Sequence, residues 1–172
     1  MFLNYLKDFS TKKIVKNNLS NVKHLASDKV IKTVGIIFDE TYFYEIEDLV
    51  KELIQNGIEE KDIKVLVYKD KIKKNEVFDY PIFSHKDLSW HGTLDKKEVK
   101  NFIAEPFDLL INYYDTEKVA LLLVSNLSKA SFKVGFASID KRLNHFMIDT
   151  NAENYIVFMS ELFKYLKILN KI

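Results

Sequence analysis

Apolar positions along this chain follow two alternating rhythms. "KTVGIIFD" at 32–39, "DIKVLVY" at 62–68, "FDLLINYY" at 107–114 and "FKVGFAS" at 132–138 are nearly continuous β-branched, aliphatic and aromatic runs. Each is too short for a helix and apolar on both faces, as strands of a buried parallel sheet are. Between them the spacing changes. Ile46, Leu49, Val50, Leu53 and Ile54 fall at intervals of three and four, and Asn56-Gly57 supplies a C-terminal stop. A short helix is expected at about 95–104, ended by Pro106, and "TEKVALLLVSNLSKA" reads as a helix apolar nearly all round, hence sandwiched between the sheet and another element.

The remaining segments complete the pattern. "HFMIDT" reads as a short strand. Thr150 and Glu153 spell a T-x-x-E capping box before a last helix whose stripe is Ala152, Tyr155, Met159, Leu162, Leu166 and Leu169. At the other end, Phe2, Leu3, Leu6 and Phe9, then Ile14, Val15, Leu19 and Val22, predict one or two helices through about residue 24. Residues 70–94, broken by Pro81 and Gly92, read as an insertion or long loop in which only "PIF" is extended.

Strands alternating with helices specify an α/β fold: an open, mainly parallel sheet, Rossmann-like or flavodoxin-like, with helices on both faces. We divide the chain into a basic helical N-terminal arm, 1–30, and a single α/β domain, 31–172. At 172 residues the chain can bury roughly 70% of the surface it exposes when unfolded.

Composition narrows the chemistry. Cysteine is absent, which excludes disulfides, thiolate nucleophiles and cysteine-ligated metals and fits a reducing, cytoplasmic setting. The N-terminus, interrupted by Asn4, Lys7 and Asp8, lacks the apolar centre of a secretory signal, and the longest apolar run, "VALLLV", is too short to span a bilayer. Net charge is +1, so nothing points to DNA, but residues 1–33 carry seven lysines against two aspartates, while the rest holds 19 basic and 23 acidic residues. Such an arm could pack on its own domain or make weak contact with an anionic membrane or RNA.

In open α/β sheets ligands sit beyond the carboxyl ends of the strands. Three such ends read alike: Asp39-Glu40-Thr41, Asp115-Thr116 and Asp149-Thr150. As a site they form an acidic edge able to hold Mg²⁺ through Asp39 and Asp115, the metal then recruiting a phosphate. As structure, Asp and Thr are good helix N-caps. Tyr42, Tyr44, Tyr113 and Tyr114 stand beside these ends and could stack on a base or sugar, meet a protein partner, or cover the sheet. Ser138 ends the fourth strand.

The glycines, at 35, 57, 92 and 135, form no phosphate loop of either common kind, and no cofactor is required by the sequence. Gly35 and Gly135, inside strands, read as places of close packing. His85 and His91 flank Trp90 at a spacing that matches no common zinc motif, and His145 is expected at the surface.

The ordered set "VGIIFDE", "KDLSWHGT", "FDLLINYYD" and "KVGFASID" resembles an uncharacterised bacterial domain family, a resemblance that spans nearly the whole chain and implies no particular activity. "FDLLINYYD…LSKASFKVGF" also looks like the strand-helix-strand portion of the N-terminal lobe of heptosyltransferase-type glycosyltransferases, whose sugar-nucleotide donor site lies in a second lobe. Receiver domains too carry acidic strand ends. Asp39-Glu40, Asp115 and Ser138 are set like their acidic pair, phosphoacceptor and hydroxyl, but Asp149 stands where a lysine is expected.

Two function classes follow. The first expectation is a non-enzymatic module acting through a protein partner or homo-oligomer, with the long stripe of the last helix as a candidate surface. The alternative is a binder or enzyme for a nucleotide or sugar phosphate, with Mg²⁺, at the acidic strand-end edge lined by Asp39, Glu40, Thr41, Tyr42, Tyr113, Asp115, Ser138 and Asp149.

Overall fold

The computed structural model describes residues 12, 13, 15–19, 22, 29–41, 43–72, 76–89 and 92–172. Among the described residues six parallel strands form one sheet: β1 (Val34–Asp39), β2 (Ile63–Tyr68), β3 (Ile82–Phe83), β4 (Leu109–Tyr113), β5 (Phe132–Phe136) and β6 (Phe146–Ile148). Four α-helices whose bounds lie among the described residues accompany them, α1 (Ile46–Gln55), α2 (Lys97–Ala104), α3 (Val119–Leu127) and α4 (Tyr155–Ile168), and residues 12, 13 and 15–18 are also helical. The strand order is β3-β2-β1-β4-β5-β6. Progress along the sheet therefore reverses between β1 and β4, the place where a ligand crevice opens in folds of this kind.

The reversal also sorts the helices. Right-handed crossovers leaving a common centre in opposite directions must lie on opposite faces. α1 joins β1 to β2 and packs with α4 over Ile36, Phe38, Val67, Ile111 and Phe136. α3 joins β4 to β5 and packs with α2 on the other face, over Ile37, Leu66, Leu110 and Tyr114. As its composition predicts, α3 is buried from Val119 to Ser125. Val15 and Leu19 belong to the same core cluster, Lys16 reaches Glu117 at 2.6 Å, and the Val22 amide donates to the Arg142 carbonyl. The other residues of the N-terminal helical stripe lie outside the described residues, Ile14 among them.

Local signals account for several boundaries. Gly57, at φ +97°, ends α1: its amide donates to the Ile54 carbonyl while Ile58 donates to Leu53, the paired bonds of a left-handed helix terminus. At Gly35 a Cβ would come within 2.7 Å of the Phe107 ring and 3.1 Å of Phe102, so the missing side chain is what lets these aromatics lie on the sheet.

Two expectations are corrected. The T-x-x-E box at Thr150 and Glu153 caps nothing: α4 starts at Tyr155 and its N-cap is Asn154, with no side-chain cap. The Ala152 amide is taken by the Asp115 carboxylate at 2.9 Å and its carbonyl by the Tyr113 hydroxyl at 2.6 Å, which pins this backbone to the end of β4 and delays the helix. A real capping box lies instead in the 70–94 segment, where Ser84 and Asp87 bond reciprocally around a 3-10 turn. His145 is also not a free surface residue, since its Nδ1 accepts the Lys133 amide at 2.9 Å and its ring stacks on Phe132.

Candidate functional site

Asp39 ends β1 in a buried position, and its Oδ1 accepts both the amide of Thr41, at 3.0 Å, and its hydroxyl, at 2.5 Å. This closes a side-chain-supported turn of the kind short acidic residues favour. Asp39 is not a helix cap, because α1 begins seven residues later behind Glu45. From the far side of the crevice Lys118, the N-cap of α3, brings its Nζ to 2.8 Å from Asp39 Oδ2 and 2.6 Å from Thr41 Oγ1. The same ammonium lies 3.3 Å from Asp70 and 4.8 Å from the Tyr68 ring centre. One cation thus joins the segments following β1, β2 and β4.

Asp115 faces the opposite way along the edge. Its Oδ2 holds the Ala152 amide, its Oδ1 accepts from Thr116, and its carbonyl accepts the Ser138 hydroxyl at 2.8 Å. Tyr113 is buried beneath, stacked on Phe38 and edge-on to Phe136 and Phe158. Burial raises the pKa of its phenol well above the usual range, so the hydroxyl stays a donor to Ala152. Asp149 is exposed, and Tyr42 lies outside the described residues. The three acidic ends share an edge, but Asp39 and Asp115 are each engaged with different partners. Among the described residues no group of three or more His, Asp or Glu is arranged to hold a metal.

A small pocket, about 180 Å³, opens on the same edge between the loops that follow β1 and β2. Phe38, Val67 and Ile82 are among its apolar lining. Lys69 stands within it, bonded to Glu76, 3.3 Å from Glu40 and 4.7 Å from the Phe78 ring centre. The bond to Glu76 is the main reason the Lys69 pKa is raised.

Two features escape sequence reasoning. Lys118 sits in "TEKVALLL", where a lysine before an apolar run reads as ordinary helix solvation. Lys133, in "FKVGF", is buried under α3 with its Nζ 2.7 Å from the Ser125 carbonyl, and burial pulls its pKa down to about 8. Beside it Asn112, Asn144, Ser125 and Tyr114 form a buried chain of hydrogen bonds of 2.6–2.8 Å. Gly135 makes room for it, since a Cβ there would lie 2.6 Å from the Asn144 amide nitrogen.

The opposite feature, an open apolar surface, lies on the outer side of α1 and α4. A groove of about 570 Å³ runs between them over Met159 and Phe163, with Glu52 and Asn56 on one wall and Lys164 and Lys167 on the other. At the two ends of α4, Ile156 is 67% exposed, Val157 49%, Ile168 63% and Leu169 46%.

Strand order, helix placement and an edge at the β1/β4 reversal define an α/β protein with a Rossmann-like fold. Within that class the chain belongs to a family of unknown function, DUF6913, whose pattern matches residues 7–169. No curated protein and no solved structure matches the chain. No helix among the described residues is long and apolar enough to cross a membrane.

Proposed function

We propose that the chain is a protein-interaction or assembly module whose docking surface is the outer face of α1 and α4. The observation that carries this reading is the groove over Met159 and Phe163, lined also by the exposed Ile156, with Val157 and Ile168 exposed on the adjoining side of α4 next to Lys164. Single exposed apolar side chains are ordinary, but an apolar groove continued by such residues along one helix is the form of a contact surface. Its mixed rim, Glu52 against Lys164 and Lys167, matches the polar border that surrounds the apolar centre of protein interfaces. The polar groups at the strand-end crevice are meanwhile engaged with one another, Lys118 with Asp39 and Asp115 with Ala152. The absence of cysteine supports action in a reducing compartment such as the cytoplasm.

Photo-crosslinking in cells tests this reading. A photoreactive residue at Ser160, on the exposed side of α4, should give a discrete protein adduct, and one at Asn101, exposed on α2, should not. Equal yields from both sites, or none from Ser160, would count against it.

A second reading rests on the pocket beside β1 and β2. Four carboxylates line it, those of Glu40, Glu47, Glu76 and Asp79, against the single ammonium of Lys69, so a nucleotide or sugar phosphate would enter only with a cation such as Mg²⁺. Thermal-shift measurements with these ligands, with and without Mg²⁺, decide it. A Mg²⁺-dependent rise in Tm that disappears in Glu40→Gln supports the reading, and no rise removes it.

A further inference from the structure

The solvent side of α4 carries Val157, Glu161, Lys164 and Ile168, spaced four, three and four residues apart and so aligned along one helical face. Val157 and Ile168 are exposed, and Glu161 and Lys164 bridge each other at 3.1 Å between them. From either end the stripe runs apolar, charged, charged, apolar, with the charges of opposite sign. Such a pattern is its own complement under a two-fold axis.

An axis perpendicular to α4, passing between Leu162 and Phe163, would lay a second α4 antiparallel on the first. Val157 of each copy would then face Ile168 of the other, and Glu161 would face Lys164. A two-fold interface requires this reciprocity: if one residue meets a second, the second must meet the first. An unrelated helix could use the apolar ends, but would not need the charges inverted about the midpoint.

We propose that the occupant of this face is a second copy of the chain, docked antiparallel through α4, with Val157–Ile168 contacts at both ends and Glu161–Lys164 pairs between. This inference rests on the docking reading above and names its partner. The 14-residue helix is about 21 Å long, so the contact is small and the dimer belongs to the weak, concentration-dependent class.

Sedimentation equilibrium of the full chain from micromolar to millimolar concentration, with circular dichroism to verify folding of each variant, tests it by charge exchange. Wild type should shift from monomer to dimer. Glu161→Lys and Lys164→Glu should each weaken the dimer by about tenfold or more, because each sets like charges opposite one another twice per dimer. The double exchange should restore association to near the wild-type level, and Val157→Glu with Ile168→Glu should abolish it. A wild-type chain monomeric throughout, or a dimer indifferent to the single exchanges, overturns the proposal. If the chain is monomeric yet Ser160 still yields an adduct with a different protein, this inference fails and the docking reading stands. If the chain is monomeric and Ser160 yields no adduct, both fail.

Discussion

Lys118 and Asp39 meet at 2.8 Å across the reversal between β1 and β4, so a single ion pair spans the crevice where sheets of this order open. The Asp39 side chain is 7% exposed and that of Lys118 16%, which places the pair between a surface bridge and a buried one. Removing the cation leaves a nearly buried carboxylate with only the Thr41 bonds. Lys118→Met should therefore destabilise the fold by about 2 kcal/mol. In a double-mutant cycle with Asp39→Asn, urea unfolding should give a coupling of at least about 1 kcal/mol. Additive effects would show that the two groups are neighbours without being partners.

The capping boxes offer a second comparison. Ser84 accepts the Lys86 amide while Asp87 accepts the Ser84 amide, whereas Thr150 makes no cap to α4. Ser84→Ala should cost about 1 kcal/mol, and Thr150→Ala should change stability by less than about 0.5 kcal/mol. The reverse ranking in thermal or urea unfolding would restore the box that the sequence spells.

These contrasts show which parts of the structure were legible in the sequence. The parallel strands were, because burial on both faces leaves a run such as "VGIIFD" or "LLINY" without polar alternation. The end of α1 was too, because Asn56-Gly57 is a local backbone device. β3 survives as two residues, Ile82 and Phe83, and gains its identity only by pairing with Val67 and Tyr68. The start of α4 was misread because it depends on what Asp115 and Tyr113 do to Ala152, 37 and 39 residues away in sequence. The acidic strand ends were correctly placed on one edge, but their partners were not legible. Lys118 reaches Asp39 over 79 positions, a distance that periodicity does not encode.

Gly35 faces Phe107 and Phe102, themselves a tilted aromatic pair 5.0 Å apart. Gly35→Ala would drive a methyl group into ring atoms at 2.7 Å, and the packed pair cannot withdraw without opening space elsewhere. We expect a loss of about 1–3 kcal/mol in urea unfolding, with the sheet retained by circular dichroism. A neutral substitution would mean that α2 is free to move away from the sheet.

Lys133 predicts a pH dependence. Burial lowers its pKa to about 8 from the ordinary 10.5. Below about pH 8 the folded and unfolded chains both carry the proton, and the cost of the buried charge is present in full. Between the two values the unfolded chain binds more protons than the folded one, so this group's contribution to stability rises with pH. Lys133→Met removes the charge and forfeits the bond to the Ser125 carbonyl. At pH 7 it should exceed wild type by about 1 kcal/mol, and the advantage should shrink as pH approaches 10. Urea midpoints at the two pH values measure this, and a difference independent of pH would contradict the assignment.

The central claim is that the outer face of α1 and α4 is covered by protein when the chain is at work. The chain has no cysteine, so a single one introduced at Ser160 can carry a nitroxide label, with a second variant labelled at Asn101 as the comparison. Electron paramagnetic resonance of each in dilute buffer and in cell extract supplemented with unlabelled chain to millimolar concentration is the direct measurement. The account predicts a spectrum at Ser160 that becomes immobilised in the extract while the label at Asn101 stays mobile. Equal mobility at both positions in the extract would contradict it.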